Sequence, residues 1–90
     1  MKKEVGYVIK KLRKEQQFKQ QYVAFKLGIT VEAYANIENG RADINTNKLK
    51  MISLILGTKA SIILALAETV SIIFITRIVL LITTKTLIYS

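Results

Sequence analysis

The chain opens with the pattern of an amphipathic helix. Over residues 3–15 the apolar side chains recur at spacings of three and four, which places them on one helical face: Val5, Val8, Ile9 and Leu12. The opposite face is basic, with Lys10, Lys11, Arg13 and Lys14. The same reading of apolar spacing, capping residues and glycines predicts five helices, at residues 3–15, 19–27, 31–39, 46–56 and 59–67.

The second and third predicted helices are short and meet at a glycine. Gly28 can adopt the positive φ that closes a helix, because it has no Cβ. Thr30 stands where a hydroxyl would cap the next helix. The third helix turns Tyr34 and Ile37 toward a core and stops at Asn39-Gly40. Two such helices joined by a tight turn form a helix-turn-helix, a usual way to present one helix to the DNA major groove.

The fourth and fifth predicted helices complete a small core. Asn45 is a good N-cap for the fourth helix, and Ile44 just before it is expected to turn inward. Gly57 then separates the two helices. The expected core stripes of the pair are Leu49, Ile52, Leu56, Ile62, Ile63 and Leu66.

Residues 69–90 differ from the rest of the chain. Thirteen of these twenty-two residues are Val, Ile or Thr, a β-branched content that favours a strand by propensity. However, the apolar residues form continuous runs without alternation, and no turn residue interrupts them. A seven-residue repeat makes a narrow polar seam on a helix; it consists of Thr69, Thr76, Thr83 and Ser90. We therefore predict a helical, apolar C-terminal extension.

An extension this apolar has to be shielded from water. Three ways to bury it are considered, in order of preference: packing against a second copy of the chain, attachment to a membrane, and packing on the protein's own core. A membrane span is disfavoured because Glu68 and Arg77 interrupt the apolar stretch, and each costs about 2.5–3.5 kcal/mol at a bilayer centre. The uncharged run over residues 78–84 is far too short to span.

The composition excludes several classes of function and of binding site. Ninety residues make one small domain, and the absence of Cys and His excludes disulfides, thiol chemistry and the common zinc sites. The net charge is +8, of which residues 1–50 carry +6. This charge predicts a polyanion as partner, either nucleic acid or an anionic membrane surface; the alternative is a basic surface that only keeps the protein in solution. The acidic residues show no paired spacing, and the sequence has no glycine-rich phosphate loop. We expect no catalytic residues, no metal and no cofactor.

The segment over residues 18–40, FKQQYVAFKLGITVEAYANIENG, carries a family pattern. The pieces Leu-Gly-Ile-Thr and Ile-Glu-Asn-Gly stand in register, and the pattern resembles the helix-turn-helix family of phage lambda repressor and Cro. That family includes bacterial regulators of the xenobiotic-response-element type. The resemblance runs from about Val5 to Leu66. It implies an all-α, five-helix DNA-binding domain over residues 1–67. The apolar extension, over residues 68–90, follows this domain.

The resemblance also implies which residues meet DNA, since the family places its third helix in the major groove. The implied base contacts are Val31, Glu32, Ala33 and Asn36. The implied backbone contacts are Lys19, Gln20, Thr30, Ala35 and Arg41. By chemistry Asn36 is the best base reader, because its amide can bond adenine at two positions. Four other basic residues of the first two helices are expected to add phosphate contacts as a set, although each alone is typical of a solvated charge: Lys10, Arg13, Lys14 and Lys26.

Several positions depart from the family pattern. Lys19 replaces a Ser or Thr cap, and Val31 stands where glutamine often reads a base. Ala35 replaces a small hydroxyl residue, and Asn36 replaces a frequent Lys or Arg. The reading surface is therefore less basic than is usual for the family. Glu38 is expected to pair with backbone or a basic side chain rather than to act as an acid.

The sequence thus predicts a cytoplasmic, non-enzymatic transcription regulator that binds double-stranded DNA specifically. We expect a repressor rather than an activator, acting as a homodimer through its C-terminal extension with third helices ~34 Å apart on a pseudo-palindromic site. The alternative is a protein–protein adaptor, antitoxin-like or membrane-tethered, that works through the apolar extension.

Overall fold

A computed structural model describes the backbone of residues 1–89 and the side chains of residues 1–85. In this part of the chain all regular structure is helical: α1 Lys2–Glu15, α2 Gln20–Leu27, α3 Val31–Glu38, α4 Thr46–Ile55 and α5 Ala60–Tyr89. The all-α, five-helix prediction is confirmed, including the helical C-terminal extension. Ser90, the last member of the predicted seam, lies outside the described residues.

One hydrophobic core joins all five helices. Burying a large apolar side chain stabilises a fold by about 1.5–3 kcal/mol, so this cluster supplies the main driving force for folding. The buried apolar residues are Val5, Val8, Ile9, Val23, Ala24, Tyr34, Ile37, Leu49, Ile52, Leu56, Ile63 and Ala67. Ile44, before α4, packs against this cluster as predicted.

The predicted turns and caps of the helix-turn-helix are present. Gly28 has φ 71° and ends α2 in the left-handed region. The Thr30 hydroxyl accepts a 3.1 Å hydrogen bond from the amide of Ala33 and caps α3. Asn45 caps α4 in the same way, accepting from the amide of Lys48 at 2.7 Å. These local signals fix where each helix begins and ends.

Gly6 determines how α1 crosses α3. A Cβ at this position would lie 2.5 Å from the carbonyl oxygens of both Ile37 and Glu38. Glycine is unfavourable inside a helix by about 0.8–1.0 kcal/mol relative to alanine. Here it lets α1 lie directly on the C-terminal end of α3, a contact that no larger residue permits.

The turn between α1 and α2 is anchored at both ends. Gln17 adopts φ 61°, which is unusual for a residue with a side chain. The amide of Phe18 donates to the carbonyl of Arg13 at 3.2 Å, and the Phe18 ring packs against the core as predicted. The side-chain amide of Gln16 donates to the Leu56 carbonyl at 2.8 Å. The turn is thereby tied to the C-terminal end of α4.

The expectation that Arg13 lies on the exposed basic face of α1 and contacts phosphate is wrong. Arg13 is 7% exposed and pairs with Glu38 of α3. It follows Val5 and Ile9 at spacings of four residues, so it shares their core-facing row. The prediction that Glu38 pairs with a basic side chain is confirmed by the same contact.

The core face of α5 also differs from the prediction. Ile63 is fully buried, but Ile62 and Leu66 are 45% and 40% exposed, and Ala67 takes the second buried position. The stripe that packs on the core is therefore Ala60, Ile63, Ala67 and Val70. Small residues in this stripe let α5 lie close to its neighbours, which a search for large apolar residues overlooks.

Beyond residue 71, α5 continues without a break and leaves the core. Ile72, Phe74, Ile75, Leu80 and Leu81 are 58–65% exposed, so the alternative that the chain's own core covers the extension is wrong for residues 72–82. Within Ala60–Lys85 an 18-residue window has a mean hydropathy of 2.2, and only 11% of that window is buried. By length and composition alone this stretch could cross a membrane. The functional division at residue 67 stays a prediction, since α5 runs through it.

Candidate nucleic-acid interface

The face of α3 that points away from the core carries three of the predicted base contacts. Glu32, Ala33 and Asn36 are exposed, whereas Tyr34 and Ile37 are buried on the opposite side. The side chains of Ala33 and Asn36 are short, so another surface can come close to the α3 backbone. The Asn36 amide offers both a donor and an acceptor at the centre of this face.

The other α3 positions lie at the edges of this face. Val31, the fourth predicted base contact, is partly buried and packs against the core. Ala35, a predicted backbone contact, is also partly buried. Thr30 is exposed, and its hydroxyl oxygen accepts from the Ala33 amide. Its O–H remains a donor that could face a phosphate, because accepting one hydrogen bond leaves the proton available.

The N-terminus of α2 presents donors of a different kind. Lys19 is exposed in an extended conformation and provides no side-chain cap for α2. The first amides of an uncapped helix are free to donate, and the helix dipole favours an anion there. Lys19 adds a full positive charge at this end. The arrangement suits a phosphate better than a base.

Gln20 is held by a buried polar cluster. Glu38 accepts hydrogen bonds from Arg13 Nε at 2.6 Å, from Arg13 Nη2 at 3.1 Å, and from Gln20 Nε2 at 2.9 Å. Arg13 Nη1 also donates to the Phe18 carbonyl at 2.7 Å. The cluster joins α1, α2 and α3 around one carboxylate and fixes the Gln20 side chain. The second N–H of the Gln20 amide is then the group available to a phosphate.

Electrostatics within the cluster favour the charged pair. Burial by itself raises the pKa of Glu38 and is the largest single influence, but the hydrogen bonds and charge of Arg13, together with the Tyr34 hydroxyl and the Gln20 amide, outweigh it and hold that pKa below its usual range. The hydrogen bond to Glu38 raises the pKa of Arg13. Burial and the adjacent carboxylate also raise the pKa of the Tyr34 hydroxyl. At neutral pH the cluster is therefore a closed ion pair rather than a candidate acid or base.

Exposed cations flank the α2–α3 pair. Arg41 follows α3, and its amide donates to the carbonyl of Asn36 at 2.9 Å. Lys26, in the last turn of α2, lies 5.7 Å from the centroid of the Tyr22 ring. α3 contains no basic residue. The positive charge therefore lies around the exposed face of α3 rather than on it.

Sequence analysis did not predict that Arg13 and Gln20 donate to the same carboxylate, that of Glu38. The signal was present in the four-residue row of Val5, Ile9 and Arg13, which puts a cation on an apolar face. A cation there needs a buried partner, and Glu38 beside the buried Ile37 was the available acid. The structure brings these distant residues together.

The arrangement corresponds to a known family. A sequence model of the helix-turn-helix family matches residues 9–63. The chain belongs to this family, of the lambda repressor/Cro type. The match includes α2, the Gly28 turn, α3 and α4, together with the second half of α1 and the beginning of α5. No curated protein matches the chain in sequence.

Solved structures show the same fold. The crystal structure of the clp gene regulator ClgR from Corynebacterium glutamicum has a TM-score of 0.87 at 15% identity, covering 91% of this chain and 87% of that chain. Because so much of this chain is covered, the long α5 is part of the shared fold. A structure of FeII HppE with substrate has a TM-score of 0.66 at 25% identity, covering 70% of this chain but 37% of that chain.

Family membership identifies a DNA-binding transcription regulator. Regulators of this type are generally non-enzymatic. Among residues 1–85, no group of acidic side chains is arranged to hold a metal ion.

Proposed function

We propose that the protein binds a specific double-stranded DNA sequence by placing α3 in the major groove. The observation that carries this proposal is the exposed face of Glu32, Ala33 and Asn36, which lies opposite the buried side of α3. An α-helix fits the major groove, where each base pair presents a distinct set of donors and acceptors.

The three exposed side chains have different chemistry. Asn36 would bond the N6 and N7 edge of an adenine, a contact worth about 1–3 kcal/mol of discrimination. Ala33 would lie against a thymine methyl or allow close approach of the backbone. Glu32 would accept from a cytosine amine or act with the N-terminal dipole of α3. Val31 would contribute only its exposed edge, since it packs against the core.

Backbone contacts would come from two regions. Lys19 and Gln20 present a charge and an amide at the N-terminus of α2, while Thr30 and Ala35 border the reading face. Arg41 lies just beyond α3 and is exposed. These contacts would set the register of α3 without reading sequence. The charge on the two cations makes affinity depend on salt.

We infer further that two copies act together as a cytoplasmic repressor. A dimer would place two α3 helices ~34 Å apart on a pseudo-palindromic operator. Occupying such a site would block transcription. The exposed apolar surface of α5 supports self-association, because soluble monomers rarely leave patches larger than a few hundred Å² uncovered.

One observation favours a second candidate, a membrane-tethered regulator or adaptor. Beyond residue 71 the apolar residues of α5 are exposed in every direction around the helix. A helix that is apolar all round is typical of a core or a membrane environment. In this case α5 would hold the DNA-binding domain at a membrane surface, and Arg77 would have to reach the headgroup region.

The test is an electrophoretic mobility shift with duplex DNA at several salt concentrations. We expect affinity to fall steeply with salt, and the Lys19→Gln/Arg41→Gln double variant to reduce the salt slope by about two relative to wild type. Lys59→Gln, a change in an exposed residue just before α5, is the matched control and should leave the slope close to wild type. Retention that is independent of salt would contradict the proposal.

A further inference from the structure

A groove runs between α1 and the middle of α5. It has a volume of about 850 Å³ and is open to solvent. Ligand sites in proteins usually have volumes of about 300–1,000 Å³ and are mostly apolar, with a few polar groups that fix the ligand. The groove, referred to as the α1–α5 groove, has an apolar floor formed by Tyr7 of α1 and by Val70, Ile73 and Phe74 of α5. Its size and its floor are those of a ligand site.

One row of side chains from each helix forms the α1–α5 groove. Residues three or four positions apart lie on the same face of a helix. The row on α1 is Lys3, Tyr7 and Lys11, and the row on α5 is Val70, Phe74 and Arg77. At the end of α1 the Gln16 side chain donates to the carbonyl of Leu56, shortly before α5 begins, so the two helices run in opposite directions. Lys3 and Arg77 therefore border the outer end of the groove, and Lys11 borders the inner end.

The three cations that border the groove are not used in ion pairs. Among residues 1–85 no ion pair includes Lys3, Lys11 or Arg77. Glu4, the carboxylate in the groove lining, lies 3.2 Å from the amino group of Met1. The positive charge at both ends of the groove is therefore available to an anion from outside the chain.

The chain's own residues leave the floor of the groove exposed. Ile73 and Phe74 are 53% and 65% exposed, and Tyr7 is 54% exposed. Removing apolar surface of this kind from water is favourable by about 25 cal/mol per Å². An occupant that satisfies both the floor and the cations has an apolar body and an anionic group.

We propose that the α1–α5 groove binds a free long-chain fatty acid. Its alkyl chain lies along Tyr7, Ile73 and Phe74, and its carboxylate is held by the cations at one end of the groove. Arg77 can donate two parallel hydrogen bonds to a carboxylate, whereas a lysine acts as a point charge. No residue of α2 or α3 lines the groove, so this site goes beyond the DNA-binding function and does not depend on it.

The shape and charge of the groove favour a single fatty acid over two other apolar occupants. A planar bilayer cannot enter a concave space between two helices, whereas one alkyl chain can. A second copy of this chain, with its net charge of +8, would bring more positive charge to a groove that three cations already border.

Isothermal titration calorimetry of the full chain with monomeric laurate tests the proposal. Dodecyltrimethylammonium, which has the same alkyl chain and a positive head group, is the matched control ligand. We expect saturable binding of one laurate per chain, and binding of the cationic amphiphile that is weaker by about tenfold or more. Several laurates per chain without saturation, or equal affinities for the two amphiphiles, would overturn the proposal.

Charge reversal at the groove locates the site. Lys11→Glu/Arg77→Glu changes one cation at each end, so the carboxylate loses a partner in either orientation. Lys50→Glu/Lys59→Glu makes the same change in net charge at two exposed lysines outside the groove. We expect the first variant to bind laurate about tenfold more weakly and the second to stay within about threefold of wild type. Equal effects would mean that only net charge matters, which would refute the site.

A second pair of variants tests the apolar floor. Phe74→Ala shortens a floor residue, and Leu81→Ala shortens a residue of similar exposure beyond the groove. We expect laurate affinity to fall about fivefold for Phe74→Ala and by no more than about twofold for Leu81→Ala. Circular dichroism would confirm that each variant is folded. Equal losses would contradict the proposed position of the alkyl chain. Binding to phosphatidylglycerol vesicles without binding of laurate would also overturn the proposal and would show bilayer contact instead.

Discussion

Replacing Glu38 with Gln tests whether the buried cluster holds the helix-turn-helix in place. Glu38 accepts three hydrogen bonds, and its side chain has no exposed surface. Removing one partner of a buried ion pair costs about 3–5 kcal/mol. We take about 3 kcal/mol, since Arg13 keeps its hydrogen bond to the Phe18 carbonyl after the change. That is a large fraction of the about 5–15 kcal/mol that stabilises a typical domain.

Thermal and urea unfolding, followed by circular dichroism at neutral pH, measure this loss. For a domain of this size the melting temperature should fall by roughly 12–24 °C. Glu15→Gln, which changes an exposed carboxylate in α1, is the matched control and should stay within about 0.5 kcal/mol. A Glu38→Gln variant within about 1 kcal/mol of wild type would refute the assigned role of the cluster.

The pH dependence of the same difference gives a second criterion. Because the pKa of Glu38 is lowered in the folded state, its contribution is fully present above the unfolded value of about 4.3. It is lost as the pH falls through the folded pKa. The gap in stability between wild type and Glu38→Gln should therefore shrink on acidification below pH ~4.3. A gap that is constant from neutral to acidic pH would contradict the assignment.

Two further substitutions test the backbone geometry by the same unfolding measurements. Gly6→Ala should destabilise the domain by about 1–3 kcal/mol, although alanine has the better helix propensity. The reason is that the new Cβ would meet the carbonyl oxygens of Ile37 and Glu38 at 2.5 Å. A stabilised variant would contradict the close crossing of α1 and α3. Gln17→Gly should stabilise the domain by about 0.5–1 kcal/mol, because φ 61° is strained for a residue with a side chain. A loss of stability would show that contacts of the Gln17 side chain stabilise the fold by more than this strain costs.

Local chemistry made much of the fold predictable. The roles of Gly28 and Thr30 follow from their own covalent structure. Gly28 has no Cβ and can end a helix with positive φ, and Thr30 has a hydroxyl that can cap the next helix. Their positions fixed the ends of α2 and α3 to within a residue or two. The exposed face of α3 also follows from sequence, since Tyr34 and Ile37 are large and apolar and Asn36 lies on the other side.

Contacts between distant residues could not be predicted in this way. The pairing of Arg13 with Glu38 depends on how α1 crosses α3, and that crossing depends on the close approach at Gly6. The choice of Ile63 and Ala67 over Ile62 and Leu66 was likewise decided by the distance between α5 and its neighbours. Apolar spacing located the helix but left its rotation open, because α5 is apolar on nearly every side.

The central claim is that the exposed face of α3 reads base pairs, and an unbiased selection of bound duplexes from random DNA tests it most directly. We predict that wild type enriches a pseudo-palindromic sequence with an A·T pair in each half-site. Asn36→Ala should lose the preference at that pair alone, whereas Asn47→Ala, in an exposed residue of α4, should enrich the wild-type sequence. Bound duplexes without a shared sequence, or an unchanged sequence for Asn36→Ala, would contradict the account.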